Sequence, residues 1–129
     1  MRENMGLFRG KGVDIKEWMR GGYTYIGDCA LIWQKEDDRG TNPYRVDPET
    51  VGECTGLRDK NGELIFEGDI IAHDESPCCC GAVSYYEDYA MFIMTSGGSD
   101  MTLADLEPYE FEIIGNIHDN PELIGGAGK

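Results

Sequence analysis

Positive charge is scarce in this sequence: eleven Lys plus Arg stand against twenty-five Asp plus Glu, a net charge of −14 with a pI near 4.3. Phosphate contacts need cations, so this balance argues against direct binding of nucleic acid or an anionic membrane. Long apolar runs are also lacking. The longest, Ala30 to Trp33 and Ala90 to Met94, fall far short of the roughly 20 residues a membrane helix needs. The opening Met1-Arg2-Glu3-Asn4-Met5-Gly6 has no basic segment leading into an apolar stretch, so no export is expected. Cysteine lacks an even count, with five in all, and Cys78, Cys79 and Cys80 are consecutive. That pattern fits no ordinary disulfide scaffold and favours reduced thiols in a cytoplasm.

What is present describes a β protein. At 129 residues the length suits one domain, expected over residues 1–124 with a disordered tail over 125–129. Such a chain buries about two-thirds of its unfolded surface without needing covalent staples. Eighteen Gly and five Pro separate short apolar stretches, the rhythm of a small barrel or sandwich. Strands are expected at Leu7–Arg9, Trp18–Ile26, Cys29–Gln34, Val51–Leu57, Glu63–Phe66, Asp69–His73, Ala82–Glu87, Met91–Thr95 and Phe111–Ile117. Glu36 to Asn42 has no apolar periodicity and reads as an exposed loop. Short helices are expected at Thr102–Leu106, where Thr102 and Asp105 resemble a capping box, and at Pro121–Ile124. Charge is uneven: residues 1–35 net +2, whereas 36–75 and 76–129 net −8 each.

The clearest local signal is Thr55-Gly56-Leu57-Arg58-Asp59-Lys60-Asn61-Gly62-Glu63-Leu64-Ile65. Asn61-Gly62 tolerates positive φ, as a tight hairpin turn requires. Phe66-Glu67-Gly68-Asp69-Ile70-Ile71 follows, with Gly68 placed to redirect the chain into the next strand. Gly81-Ala82-Val83 opens another strand, a rhythm common in small SH3-like barrels.

Four ordered motifs make the chain resemble the YopX family. They are Val46-Asp47-Pro48-Glu49-Thr50-Val51-Gly52, the hairpin Thr55 to Gly62, the turn Phe66-Glu67-Gly68-Asp69-Ile70, and the closing Ile114-Gly115-Asn116-Ile117-His118-Asp119-Asn120-Pro121-Glu122-Leu123. Phe8-Arg9-Gly10-Lys11 and Glu17-Trp18 resemble the family's start. The resemblance implies a phage or prophage protein acting in a bacterial cytoplasm, mainly β, with an SH3-like barrel core, added N-terminal strands and short C-terminal helical turns. It also implies self-association, and it implies no activity. Cys54 departs from the family, which more often has an aromatic residue before Thr-Gly-Leu, and the Cys78–Cys80 run lies in a segment that varies among relatives.

The candidate chemistries each meet a plainer explanation. His73 with Cys78, Cys79 and Cys80 offers zinc ligand types, but structural sites draw on separated ligand pairs, and Cys29 and Cys54 complete a site only if the fold brings them close. His118-Asp119 pairs an imidazole with a carboxylate, yet both fall in a turn where Asp and Asn are ordinary formers. Gly125 to Lys129 lacks the glycine spacing and the Ser/Thr of a phosphate loop. Asp59 to Glu63 lacks the downstream ligands of a calcium loop. Accordingly no catalytic, cofactor-binding or metal-ligating residue is assigned and no cofactor is expected. Tyr85, Tyr86, Tyr89 and Phe92 are expected mostly in the core, any ring left outside forming an acid-rimmed patch for a protein partner.

The function this supports is a non-catalytic interaction module with a host or phage protein as partner, a homo-oligomer included. An acidic nucleic-acid mimic blocking a host DNA-binding enzyme and a metal-dependent hydrolase are the alternatives.

Overall fold

A computed structural model describes residues 7–36, 40–73, 76–88, 90–96, 99–103 and 110–123. It is mainly β, with eleven strands among the described residues: β1 Phe8–Lys11, β2 Trp18–Ile26, β3 Cys29–Glu36, β4 Gly40–Val46, β5 Gly52–Arg58, β6 Leu64–Phe66, β7 Asp69–His73, β8 Ser76–Tyr86, β9 Met91–Ser96, β10 Ser99–Thr102 and β11 Phe111–Asn116. All described pairings are antiparallel. The expected barrel is not closed; the strands form two sheets. The chain divides into compact units of 4–54 and 55–129, the latter together with residues 1–3, and the boundary falls within β5.

In the first unit the strand order is β4-β3-β2-β1, with the start of β5 on the other side of β1. Val46, Ile32, Ala30 and Met19 form its core, with Phe8, Tyr23, Tyr44 and Val51 packed against them. A 3-10 turn over Pro48–Thr50 leads into β5. The Asp47 carboxylate caps it by accepting the Glu49 N–H, and the buried Thr50 hydroxyl accepts the Lys11 N–H at 2.8 Å. Gly40–Asn42, read from sequence as loop, belongs to β4. A polar strand interrupted by Pro43 gives no apolar signal, and proline is tolerated there because β3 is the one described strand paired with that part of β4, whose far end, Val46, bridges to Gly12.

In the second unit β6 lies beside β5, and a five-stranded sheet runs β10-β9-β8-β7-β11. Ile65, Ile71, Val83, Phe92, Met94, Leu103 and Phe111 form its core; each such side chain contributes about 1.5–3 kcal/mol over its exposed state. A turn forms at Asn61-Gly62 as expected, but only Gly62 takes positive φ, at 83°, and the turn closes through Gly62 N–H donating to the Asp59 carbonyl at 3.0 Å; Gly68 takes φ 96° at the entry to β7. The expected start of β8 at Ala82 is too late, because pairing with β7 already begins at Ser76. The helix expected at Thr102–Leu106 does not start at Thr102, which ends β10, and residues 104–106 lie outside the described residues; of the one expected at Pro121–Ile124, Glu122 and Leu123 are helical, while Ile124 and the tail 125–129 lie outside the described residues. Among the described residues no helix is long and apolar enough to cross a membrane.

Candidate interaction surface

The β2–β3 hairpin positions the most distinctive side chains of the first unit. Ile26 pairs with Cys29 across a two-residue Gly27-Asp28 turn. Gly27 sits at φ 61°, the left-handed geometry that matches strand twist in such turns. At this end Tyr25 and Ile26 are 59% and 61% exposed, more than the other large apolar side chains named as exposed among the described residues.

Period-2 alternation sorts the remaining residues of the sheet onto two faces. Met19, Tyr23, Ala30, Ile32, Tyr44 and Val46 fill the core side. The opposite side carries Arg9 and Lys11 from β1, Trp18, Arg20 and Thr24 from β2, Leu31, Trp33 and Lys35 from β3, and Pro43 and Arg45 from β4. All five cations of β1 to β4 therefore share one face. The single carboxylate of these strands, Glu36, takes the core-side phase, where it accepts hydrogen bonds from Tyr44 Oη and from Asn42 Nδ2.

Contacts within that face hold its rings. The Arg9 guanidinium lies 4.7 Å from the centroid of the Trp18 ring and the Lys11 ammonium 5.7 Å from it, within reach of the ring quadrupole. Trp33 Nε1 donates to Thr24 Oγ1 at 2.8 Å, fixing the indole edge. Its cross-strand neighbours are Gly22 and Pro43, and a Cβ placed on Gly22 would meet nothing within 4 Å. Trp18 and Trp33 are half-buried, whereas Arg20, Lys35 and Arg45 are exposed. Beside β4 a cleft of about 150 Å³ is lined by Asp14, Ile15, Met19, Pro43, Tyr44 and Arg45.

In the second unit the tyrosine cluster separates by strand phase. Phe92 is buried and meets Tyr85 edge-on, centroids 5.1 Å apart. Tyr86 pairs with Met91 on the other phase, and both are exposed. Core placement thus holds for Phe92, while Tyr85 and Tyr86 are more exposed than expected; Tyr89 lies outside the described residues.

The candidate metal ligands divide between the units. His73 Nε2 stands 3.4 Å from Glu110 Oε1, with its ring edge-on to Phe111. The Cys80 thiol faces the Leu123 carbonyl at 3.9 Å; the side chains of Cys78 and Cys79 lie outside the description. Cys29 and Cys54 belong to the first unit. Among the described residues no three His, Cys, Asp or Glu side chains converge on a point.

Around His118 and Asp119 the chain makes an Asn-centred turn. Asn116 Oδ1 accepts the N–H groups of His118 and Asp119 at 3.0 and 2.9 Å, and Asn116 Nδ2 donates to Asp119. Asn120 Oδ1 in turn accepts the Asn116 N–H.

Sequence reasoning missed the cation and tryptophan face. Its signal was present in the alternation of Cys29-Ala30-Leu31-Ile32-Trp33-Gln34-Lys35-Glu36, and became readable only with the phases of β2 and β4. The family model described as YopX protein matches residues 7–125, a span that takes in all the motifs carrying the resemblance. Among curated proteins nothing matches the chain.

Proposed function

The chain belongs to the YopX family, and from that membership we propose that it is a non-catalytic interaction module. On this reading it is encoded by a phage or prophage, acts in the cytoplasm of a bacterial host, and engages a protein, a second copy of itself included. The observation that carries the reading is the end of the β2–β3 hairpin, where Tyr25 and Ile26 stand 59% and 61% exposed. Tyrosine offers a broad apolar ring with a polar tip, which suits a surface that alternates between water and a partner. The hairpin has a defined turn and register, so little ordering entropy is lost when its end is covered.

The test combines light scattering of the purified chain with capture from host lysate after nuclease treatment. The wild-type chain is expected to assemble or to retain a specific host protein, and the double variant Tyr25→Ser, Ile26→Ser to lose that association while melting unchanged. Equal association by both proteins refutes the hairpin as the contact. A chain that stays monomeric and captures nothing refutes the module.

A further inference from the structure

The net charge of −14 describes the whole chain, but a ligand meets one surface at a time. We propose that the outer face of β2, β3 and β4 is a binding site for single-stranded nucleic acid, with Trp33 as the base-stacking platform and Arg20, Lys35 and Arg45 as the phosphate contacts. This goes beyond the module reading, which concerns a protein at the hairpin end.

Three observations carry the proposal. The first is segregation of charge: β1 to β4 place five cations in this phase, of which Arg9 is buried and Arg20, Lys35 and Arg45 are exposed, and their single carboxylate takes the opposite phase. A generic solvated face mixes both signs. At physiological salt, charges more than about 8 Å away are strongly screened, so a ligand in contact with this sheet meets chiefly Arg20, Lys35 and Arg45, with Asp14 in the cleft beside Arg45. The second is that both tryptophans of the chain lie among these cations. An acidic peptide requires cations alone; indoles interleaved with cations provide stacking for unpaired bases as well as neutralisation for the backbone. The third is the surround of Trp33. Its edge is tied to Thr24, its neighbour Pro43 is compact, and the space over Gly22 is open, leaving room for a planar ring beside the indole. A duplex keeps its base faces stacked internally, so the single strand is the matching form.

The three strands β2 to β4, spaced about 4.8 Å apart, make this face about 10 Å wide, enough for one strand of nucleotides. Three phosphate contacts to a single strand predict a slope of log affinity against log salt near −2. Raising salt from about 50 to about 200 mM should therefore weaken binding about 20-fold.

The full chain is titrated with an oligothymidylate of about 15 nucleotides, following tryptophan fluorescence, to which both reporters on this face contribute, and anisotropy of a labelled oligomer. Saturable binding with quenching is expected, weakened about tenfold or more by Lys35→Glu or Arg45→Glu. Gly22→Gln should weaken binding by filling the space beside Trp33 without adding charge, and Gly22→Glu should abolish it by placing a carboxylate there. Gly22 lies in open space, so both variants are expected to melt with the wild type, which separates loss of binding from loss of fold. Absence of binding at about 50 mM salt overturns the proposal. So does binding that all these variants leave unchanged, or polyglutamate that quenches the tryptophans equally and displaces the oligomer, since the face would then be an acidic-protein surface.

Discussion

The carboxylate of Asp59 accepts the backbone N–H of Ile113, fifty-four residues further along the chain, at 3.1 Å. Its other oxygen accepts the N–H groups of Asn61 and Glu63, each at 2.9 Å. One buried side chain thus closes the β5–β6 turn and ties that turn to β11. The Lys60 N–H, donating to the Phe111 carbonyl at 2.8 Å, adds a second tie.

Removing this carboxylate leaves three backbone donors without their acceptor. Asp59→Ala is expected to destabilise the protein by about 3 kcal/mol, because hydrogen bonds to charged groups contribute about 1.5–3 kcal/mol and orphaned donors add their own cost. Asp59→Asn keeps one acceptor oxygen and should lose roughly half as much. Urea unfolding of the three proteins measures this; equal stability of wild type and Asp59→Ala would show that the tie contributes nothing.

Two glycines should respond differently to alanine. A Cβ on Gly115 would lie 2.6 Å from Asn120 Oδ1, within the hydrogen bonds of the Asn116 turn. Gly115→Ala must therefore displace Asn120, at a cost of about 1–3 kcal/mol. Gly62 faces open space but has φ 83°, so Gly62→Ala meets only the left-handed backbone penalty of about 1–2 kcal/mol. Thermal melts read the totals, and hydrogen exchange at residues 116–120 distinguishes the causes: faster exchange there is expected for Gly115→Ala alone.

The β8–β9 hairpin provides a test of strand phase. Phe92 is in the core and Tyr86 points to the other side. Phe92→Ala is expected to cost about 3–5 kcal/mol, whereas Tyr86→Ser should stay within about 1 kcal/mol. Denaturant midpoints compare the two directly, and a reversed order would mean that the hairpin register is wrong by one residue.

For the β2–β3 hairpin, stability and association should separate. Tyr25 and Ile26 are mostly in water, so Tyr25→Ser with Ile26→Ser should move the unfolding free energy by no more than about 0.5 kcal/mol for each substitution. A larger loss, measured by urea unfolding at a concentration where association is negligible, would assign the two side chains to the fold rather than to a partner.

Much of this architecture was legible in the sequence wherever local chemistry decides. Trp18–Ile26 and Asp69–His73 match their strands end for end, since apolar and β-branched residues there are bounded by Gly or Asp turns. Gly62 and Gly68 announced their positive φ values because few other residues accept them. β4 was hidden because an edge strand needs one apolar phase only, and Thr41, Asn42 and Pro43 obscure even that. Asp59 appeared as a turn former; its bond to Ile113 depends on a pairing that local pattern does not encode. The grouping of Arg20, Trp33, Lys35 and Arg45 was invisible for a related reason. Net charge sums over every surface, and only the mutual register of three strands shows which side chains share one.

Between β7 and β8 the pairing passes from Ala72↔Cys80 to His73↔Ser76, so residues 77–79 form an excursion with no counterpart on β7. The pairs Ile70↔Ala82 and Ile71↔Gly81 beyond it continue in normal phase. The unpaired residues of such an excursion disrupt the ladder locally and leave the strand that follows in its own register. A change of length confined to residues 77–79 therefore leaves the Ala72↔Cys80 register, and with it the place of Val83 in the core, unchanged. That makes this stretch a natural point for grafting a tag or a foreign peptide.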